Sequence, residues 1–204
     1  MARLLRLSEV RATAEGEQPP GYRLLRLGRL NLGLLSVLSL VALPPVFVFF
    51  AFVTGPLGGP FDLRNGEFSL RVDLVGLLLV GVVAIVVLPV VHELVHGAVA
   101  ACCGGRPVYG IGPGVAFCHF REFVGVGPYA AILVAPLLAL SLVGVALMPI
   151  TPGLLRGPLL AFLITNAAGA VGDIAALTQL FRLPAAALIA DTSGGFEVYA
   201  PEAS

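Results

Sequence analysis

His92, Glu93 and His96 stand together as His92-Glu93-Leu94-Val95-His96. On an α-helix, positions i and i+4 share a face and lie about 6 Å apart along the axis. Two imidazoles so placed can hold one Zn²⁺ at roughly 2.0–2.1 Å. Glu93 falls beside them, where a carboxylate can take a proton from a water on the metal and return it to a leaving amine. The chemistry this spacing suits is hydrolysis of a peptide bond. The bland alternative is a polar pair that helps two helices associate.

The surroundings of the motif are unusual for a soluble enzyme. The chain has 204 residues, of which 58% are hydrophobic and only 12% charged. An ordinary soluble domain carries roughly 25% charged residues. Such a composition cannot build a water-exposed surface, so the solvent must be mostly lipid. Formal net charge is zero and every basic residue is Arg. Neither feature points to a nucleic-acid partner. Cys102, Cys103 and Cys118 are odd in number with two adjacent, which does not make a disulfide framework. They read as small hydrophobes near a helix end, and Cys118-His119 lacks the spacing of a metal site.

A helix crosses the bilayer core with about 20 apolar residues. Four stretches qualify: about Leu32–Val53, Leu74–Cys102, Tyr129–Met148 and Leu154–Leu180. Pro44-Pro45 should kink or break the first, and Pro89 should kink the second three residues before His92. The first run is too long and too far along the chain for a cleavable signal peptide. Arg3, Arg6, Arg11, Arg23, Arg26 and Arg29 precede it, which places that end in the cytosol. Four spans return the C-terminus to the cytosol, and Gly55–Asp73 becomes an outside loop. The expected class is an all-α membrane protein of about four transmembrane helices with small cytosolic β elements. One is Val108–Phe120, between spans two and three. A candidate second is a hairpin in the tail, Ala187–Ala190 turning at Asp191–Gly195 into Phe196–Tyr199. The chain then divides into an Arg-rich cytosolic segment (1–30, with a flexible stretch at Thr13–Gly21), a membrane domain (31–182) and a short cytosolic tail (183–204).

Few ionisable groups lie inside the spans: His92, Glu93, His96 and Asp173, with Arg156 at the outer end of the fourth, where it can reach the interface. A charge at mid-membrane costs on the order of 2.5–3.5 kcal/mol on the gentlest scale, so such groups usually find one another. A catalytic zinc takes three protein ligands and keeps one open position. Asp173 is the natural third ligand. Leu74 to His92 and Leu155 to Asp173 are equal steps along the sequence, so parallel spans bring all three to similar depth. His119 and Glu122 are rival donors from the loop, and Asp173 could instead be an acid exposed at a helix end. Asn166, Gly169 and Asp173 are spaced i, i+3, i+7 along the fourth span and lie on one face. Gly169 and Gly172 would let it approach span two closely. Asn166 could hold substrate backbone or a water near the metal, or it could make an interhelical hydrogen bond.

His92–His96, together with Asn166-Ala167-Ala168-Gly169-Ala170-Val171-Gly172-Asp173, resembles the site-2 protease-like intramembrane zinc metalloproteases. Over roughly Leu74–Tyr199 the chain is more closely similar to a family of short, four-span bacterial zincin peptidases. The resemblance implies that His92, His96 and Asp173 hold Zn²⁺, that Glu93 is the acid/base, and that Asn166 assists catalysis. It also implies that substrate enters as an extended strand, for which Val108–Phe120 could supply an edge. The later motif departs from the site-2 pattern, with Gly169 where Pro is usual and Ile174 after Asp173.

The expected activity is zinc-dependent peptide-bond hydrolysis in or beside a membrane, with Zn²⁺ as cofactor. The expected partners are the lipid bilayer and a membrane-protein or peptide substrate, and the expected place is the bacterial cytoplasmic membrane. The alternatives are an inactive zinc-binding partner protein and a small ion- or proton-coupled transporter. No inverted repeat supports the transporter.

Overall fold

A computed structural model describes residues 18–29, 31–60, 74–112, 115–120, 122–192 and 195–202. Arg3, Arg6 and Arg11 lie outside these residues, as do parts of Thr13–Gly21, of Gly55–Asp73 and of the 191–195 turn.

Among the described residues, four helical stretches are long and apolar enough to cross a membrane: Gly33–Leu57, Leu74–Cys102, Val126–Ile150 and Gly153–Leu180. The first is helix α1, Leu32–Thr54, closed by a 3₁₀ turn at Gly55–Leu57. It continues through Pro44 and Pro45, where the sequence predicts a kink or break. Its packing against the fourth stretch, centred on Phe50 and Ala51, holds it together despite the two missing N–H donors.

The second stretch has three parts. Helix α2, Leu74–Val82, widens into a π turn at Val83–Val87 and continues as α3, Leu88–Cys102. The Leu88 N–H reaches back five residues to the Val83 carbonyl. Pro89 has no N–H to offer Ile85, and the wider turn places that gap where the helix already changes its step. The third stretch is α4, Val126–Leu147, with Pro136 inside it and a 3₁₀ turn at Met148–Ile150.

The fourth stretch differs from the expectation. Helix α5, Gly153–Gly169, stops and α6, Val171–Leu180, begins after a turn at Ala170. Across this turn Asn166 still reaches His92 and Asp173 still reaches His96. The two glycines are not a close-approach surface for span two. A Cβ on Gly169 would meet nothing within 4 Å, and one on Gly172 would touch only Leu35 of α1, at 3.8 Å.

There are two sheets among the described residues. Strands β2, Pro107–Gly112, and β3, Val115–Phe120, form the hairpin expected between spans two and three. The other sheet has four antiparallel strands in the order β1-β6-β5-β4. These are Tyr22–Arg29, Gly195–Pro201, Leu188–Thr192 and Val124–Gly125. The tail hairpin β5–β6 is as expected. Strand β1 is not, because it lies in the segment read as an Arg-rich lead-in.

The chain forms two compact units. One takes in the described residues of 1–31, 93–135 and 173–204. Its core joins both sheets to the helices: Ala100 of α3, Phe120 of β3, Ile132 of α4, Leu180 of α6, and Ile189 and Val198 of the larger sheet are all buried. The other unit is residues 32–92 and 136–172. It is helical and centres on Phe50, Ala51, Met148, Leu160 and Leu163. There α4 and α5 touch closely at Gly144, where a Cβ would lie 2.5 Å from Leu163 Cδ2.

Candidate metal centre

Helix α3 carries both motif histidines one turn apart. The Nδ1 of His96 lies 2.8 Å from the carbonyl oxygen of Ile132 on α4. A carbonyl only accepts, so Nδ1 carries the proton and donates. That turns Nε2 toward Asp173, 3.4 Å from its Oδ1. Both side chains are mostly buried. Asp173 sits in the first turn of α6, where the helix dipole favours a negative charge.

His92 is held in the same way by a different partner. Its Nδ1 is 3.1 Å from Asn166 Oδ1. The Asn166 Nδ2 donates to the Pro136 carbonyl at 3.3 Å and to Ser141 Oγ at 3.4 Å. The Pro136 carbonyl needs a donor, which fixes which end of the amide faces it. The oxygen therefore faces His92, and His92 Nδ1 donates. Asn166 is fully buried, at 0% exposure. Of the two roles open from sequence, the contacts formed are the interhelical hydrogen bonds.

His92, His96 and Asp173 each offer one ligand atom, and these atoms lie within 4.8 Å of one another. The donor set fits zinc. Each imidazole has its Nδ1–H tied to an acceptor, the usual arrangement for a metal-ligating histidine. In a tetrahedral site with bonds of roughly 2.0–2.1 Å, neighbouring ligand atoms are about 3.3–3.4 Å apart. The His96–Asp173 separation of 3.4 Å matches that edge. Two nitrogens and one carboxylate suit zinc better than calcium or magnesium, which prefer all-oxygen shells.

Glu93 lies four residues before Gly97 and so shares a helix face with it. The phenol oxygen of Tyr109, on β2, packs directly on Gly97. Cys118 faces Tyr109 across the hairpin. Burial pushes its thiol up to about 11, with the charges of Glu93 and Asp191 adding to the effect. All three cysteines are free thiols.

The rival donors are engaged elsewhere. His119 Nδ1 is 3.1 Å from Asp191 Oδ2, which joins the hairpin to β5. Glu122 accepts the backbone N–H of Arg106 at 2.9 Å and faces its guanidinium at 3.9 Å.

Sequence reasoning missed Ile132, Pro136 and Ser141 as partners of the imidazole network. A signal existed for one of them: a proline inside an apolar helix leaves a carbonyl four residues earlier without its usual donor.

A protein-family model described as "Putative zincin peptidase" matches residues 85–188, from within the π turn to the first residue of β5. No curated protein and no solved structure matches the chain.

Proposed function

Since the chain belongs to the zincin peptidase family, we propose that it is a zinc-dependent peptidase acting in or beside a membrane. The observation that carries the reading is the donor group of His92, His96 and Asp173, set on helices apolar enough for a bilayer. His92 and His96 would hold the ion through Nε2, with Asp173 as the third ligand. Bound zinc supplies the Lewis acidity that makes a water nucleophilic near neutral pH. Glu93 accepts that water's proton and returns it to the departing amine. Asn166 acts on His92 rather than on substrate, by fixing which ring nitrogen carries the proton.

The substrate is a peptide or a membrane protein that reaches the site as an extended strand. The β2–β3 hairpin has two strands among the described residues, so each keeps one unpaired edge. Main-chain hydrogen bonding along such an edge gives affinity without demanding a sequence. Placing Pro at alternate positions of Val115–Phe120 tests this, because undiminished cleavage in every variant removes the hairpin from substrate binding.

The place is the bacterial cytoplasmic membrane, with both ends of the chain cytosolic. The Arg residues ahead of α1 support that orientation. Shared sheet membership of β1, β4 and β5–β6 supports a common side for the two ends, whichever side that is. Strands of one sheet lie on one side, which requires an even number of crossings between them.

The deciding experiment uses purified wild type and Glu93→Gln. Bound zinc is measured, and cleavage of membrane peptides is assayed. We expect one zinc in each and cleavage in wild type alone. Zinc without cleavage in wild type would leave an inactive binding protein, and absence of zinc would remove the peptidase reading.

A further inference from the structure

We infer that Pro136 is a positioning residue for the metal centre: it frees the Ile132 carbonyl to take the Nδ1 proton of His96 and so presents Nε2 to the ion. The inference rests on the zinc reading above.

The argument starts from backbone chemistry. In an α-helix the carbonyl of residue i accepts the N–H of residue i+4. For Ile132 that donor would come from residue 136, and proline has none. Ile132 and Pro136 both lie within α4 and are both buried, so bulk water does not take the donor's place. The oxygen instead lies 2.8 Å from His96 Nδ1. A buried polar group without a partner is rare, and the imidazole supplies this one. In an uninterrupted helix the same oxygen would point along the axis at an amide hydrogen. The ring would then meet a carbonyl already committed, and its tautomer would be less firmly set.

Pro136 has a second tie that its side chain does not control. Its own carbonyl accepts Asn166 Nδ2, and Asn166 Oδ1 accepts His92 Nδ1. Any residue at position 136 keeps that carbonyl. Replacing the proline therefore separates the two imidazoles: the His96 arm loses its basis, and the His92 arm keeps its own. A proline that only shaped the helix would give no reason for one histidine to respond and not the other.

The experiment compares full-length wild type, Pro136→Ala and Pro136→Ser in the metal-free state and on titration with Zn²⁺. The chain has three histidines, so ring ¹⁵N signals can be assigned by substituting each in turn. In wild type, His96 should be the Nδ1–H tautomer. In both variants its ring nitrogens should move toward a mixture, while those of His92 stay in place. Zinc affinity should fall about tenfold to a hundredfold, the usual loss when an outer-shell partner of a ligating histidine is removed. Pro44→Ala, the same exchange in α1, should leave affinity unchanged. Unaltered His96 signals with affinity within twofold of wild type would overturn the inference, as would equal shifts of both histidines. If wild type takes up no zinc, the peptidase reading falls, and the metal-free tautomers alone decide the role of Pro136.

Discussion

The phenol oxygen of Tyr109 occupies the space that a Cβ on Gly97 would fill. Gly97 follows His96 directly and lies one helical turn after Glu93. The hairpin therefore seats on the motif helix at a point where no side chain stands. Gly97→Ala should drive Tyr109 away, at an overpacking cost of about 1–3 kcal/mol. The expected result is a lower melting temperature and weaker cleavage, with zinc retained. Adding Tyr109→Ala should recover the melting temperature, since it removes the group that clashes. A single variant as stable and active as wild type would dismiss this seating.

Asn166→Ala removes the acceptor of His92 Nδ1, while the Pro136 carbonyl loses only a second donor because the helix still offers it one. Leaving the buried imidazole N–H unsatisfied costs about 1–3 kcal/mol. Thermal unfolding of the metal-free protein should show the loss, and zinc competition should show affinity down about tenfold to a hundredfold. An intact fold with unchanged affinity would mean that His92 does not depend on this amide.

Asp173→Ala and His119→Ala should separate sharply in bound zinc. Removing a ligand should abolish stoichiometric metal, whereas removing a histidine engaged with Asp191 should leave the zinc content at the wild-type level. Metal analysis after dialysis decides between them. Zinc lost in His119→Ala and kept in Asp173→Ala would reassign the third ligand.

Cys118 should resist alkylation in the folded protein. With its thiol raised to about 11, about one part in a thousand is thiolate at pH 8, against about a quarter for an ordinary thiol near 8.5. Because the neutral form persists in the folded state up to the raised value, reactivity should climb only as pH approaches it. Mass spectrometry of a maleimide time course at pH 8 should find Cys118 modified about a few hundredfold more slowly in the folded protein than in denaturant.

Reporters fused at the two ends should indicate the same side of the membrane, because β1 and β6 pair along their length. Opposite readings would be incompatible with that sheet in a four-span chain.

Much of this architecture was legible in the sequence. Length and hydropathy located all four long apolar helices, since a bilayer tolerates little else over 20 residues. The Gly–Pro breaks and β-branched runs located β2–β3 and β5–β6. Strand β1 was hidden for a specific reason. Its register shifts between Leu24 and Arg26, so Leu25 is an extra residue and the two-residue alternation that marks a strand is broken. The turn at Ala170 was hidden because the small residues around it carry no Pro and remain apolar. His92, Glu93, His96 and Asp173 stood out because ionisable groups are scarce in apolar spans. Their supporting contacts did not, because the Ile132 and Pro136 carbonyls are main-chain atoms that any residue type supplies. Only the imino nitrogen of Pro136 left a trace of one of them.

The pairing of β1 with β6 also bears on when the protein matures. Tyr22 meets Pro201 across that ladder, so β1 must wait for a strand made much later. Contacts this distant along a chain form late and slowly. The sheet that carries β4, the strand leading directly into α4, cannot be complete until Gly195–Pro201 has left the ribosome. All the spans between are made before the β-layer can close, and a nascent chain stopped before Gly195 would leave β1 without its neighbour.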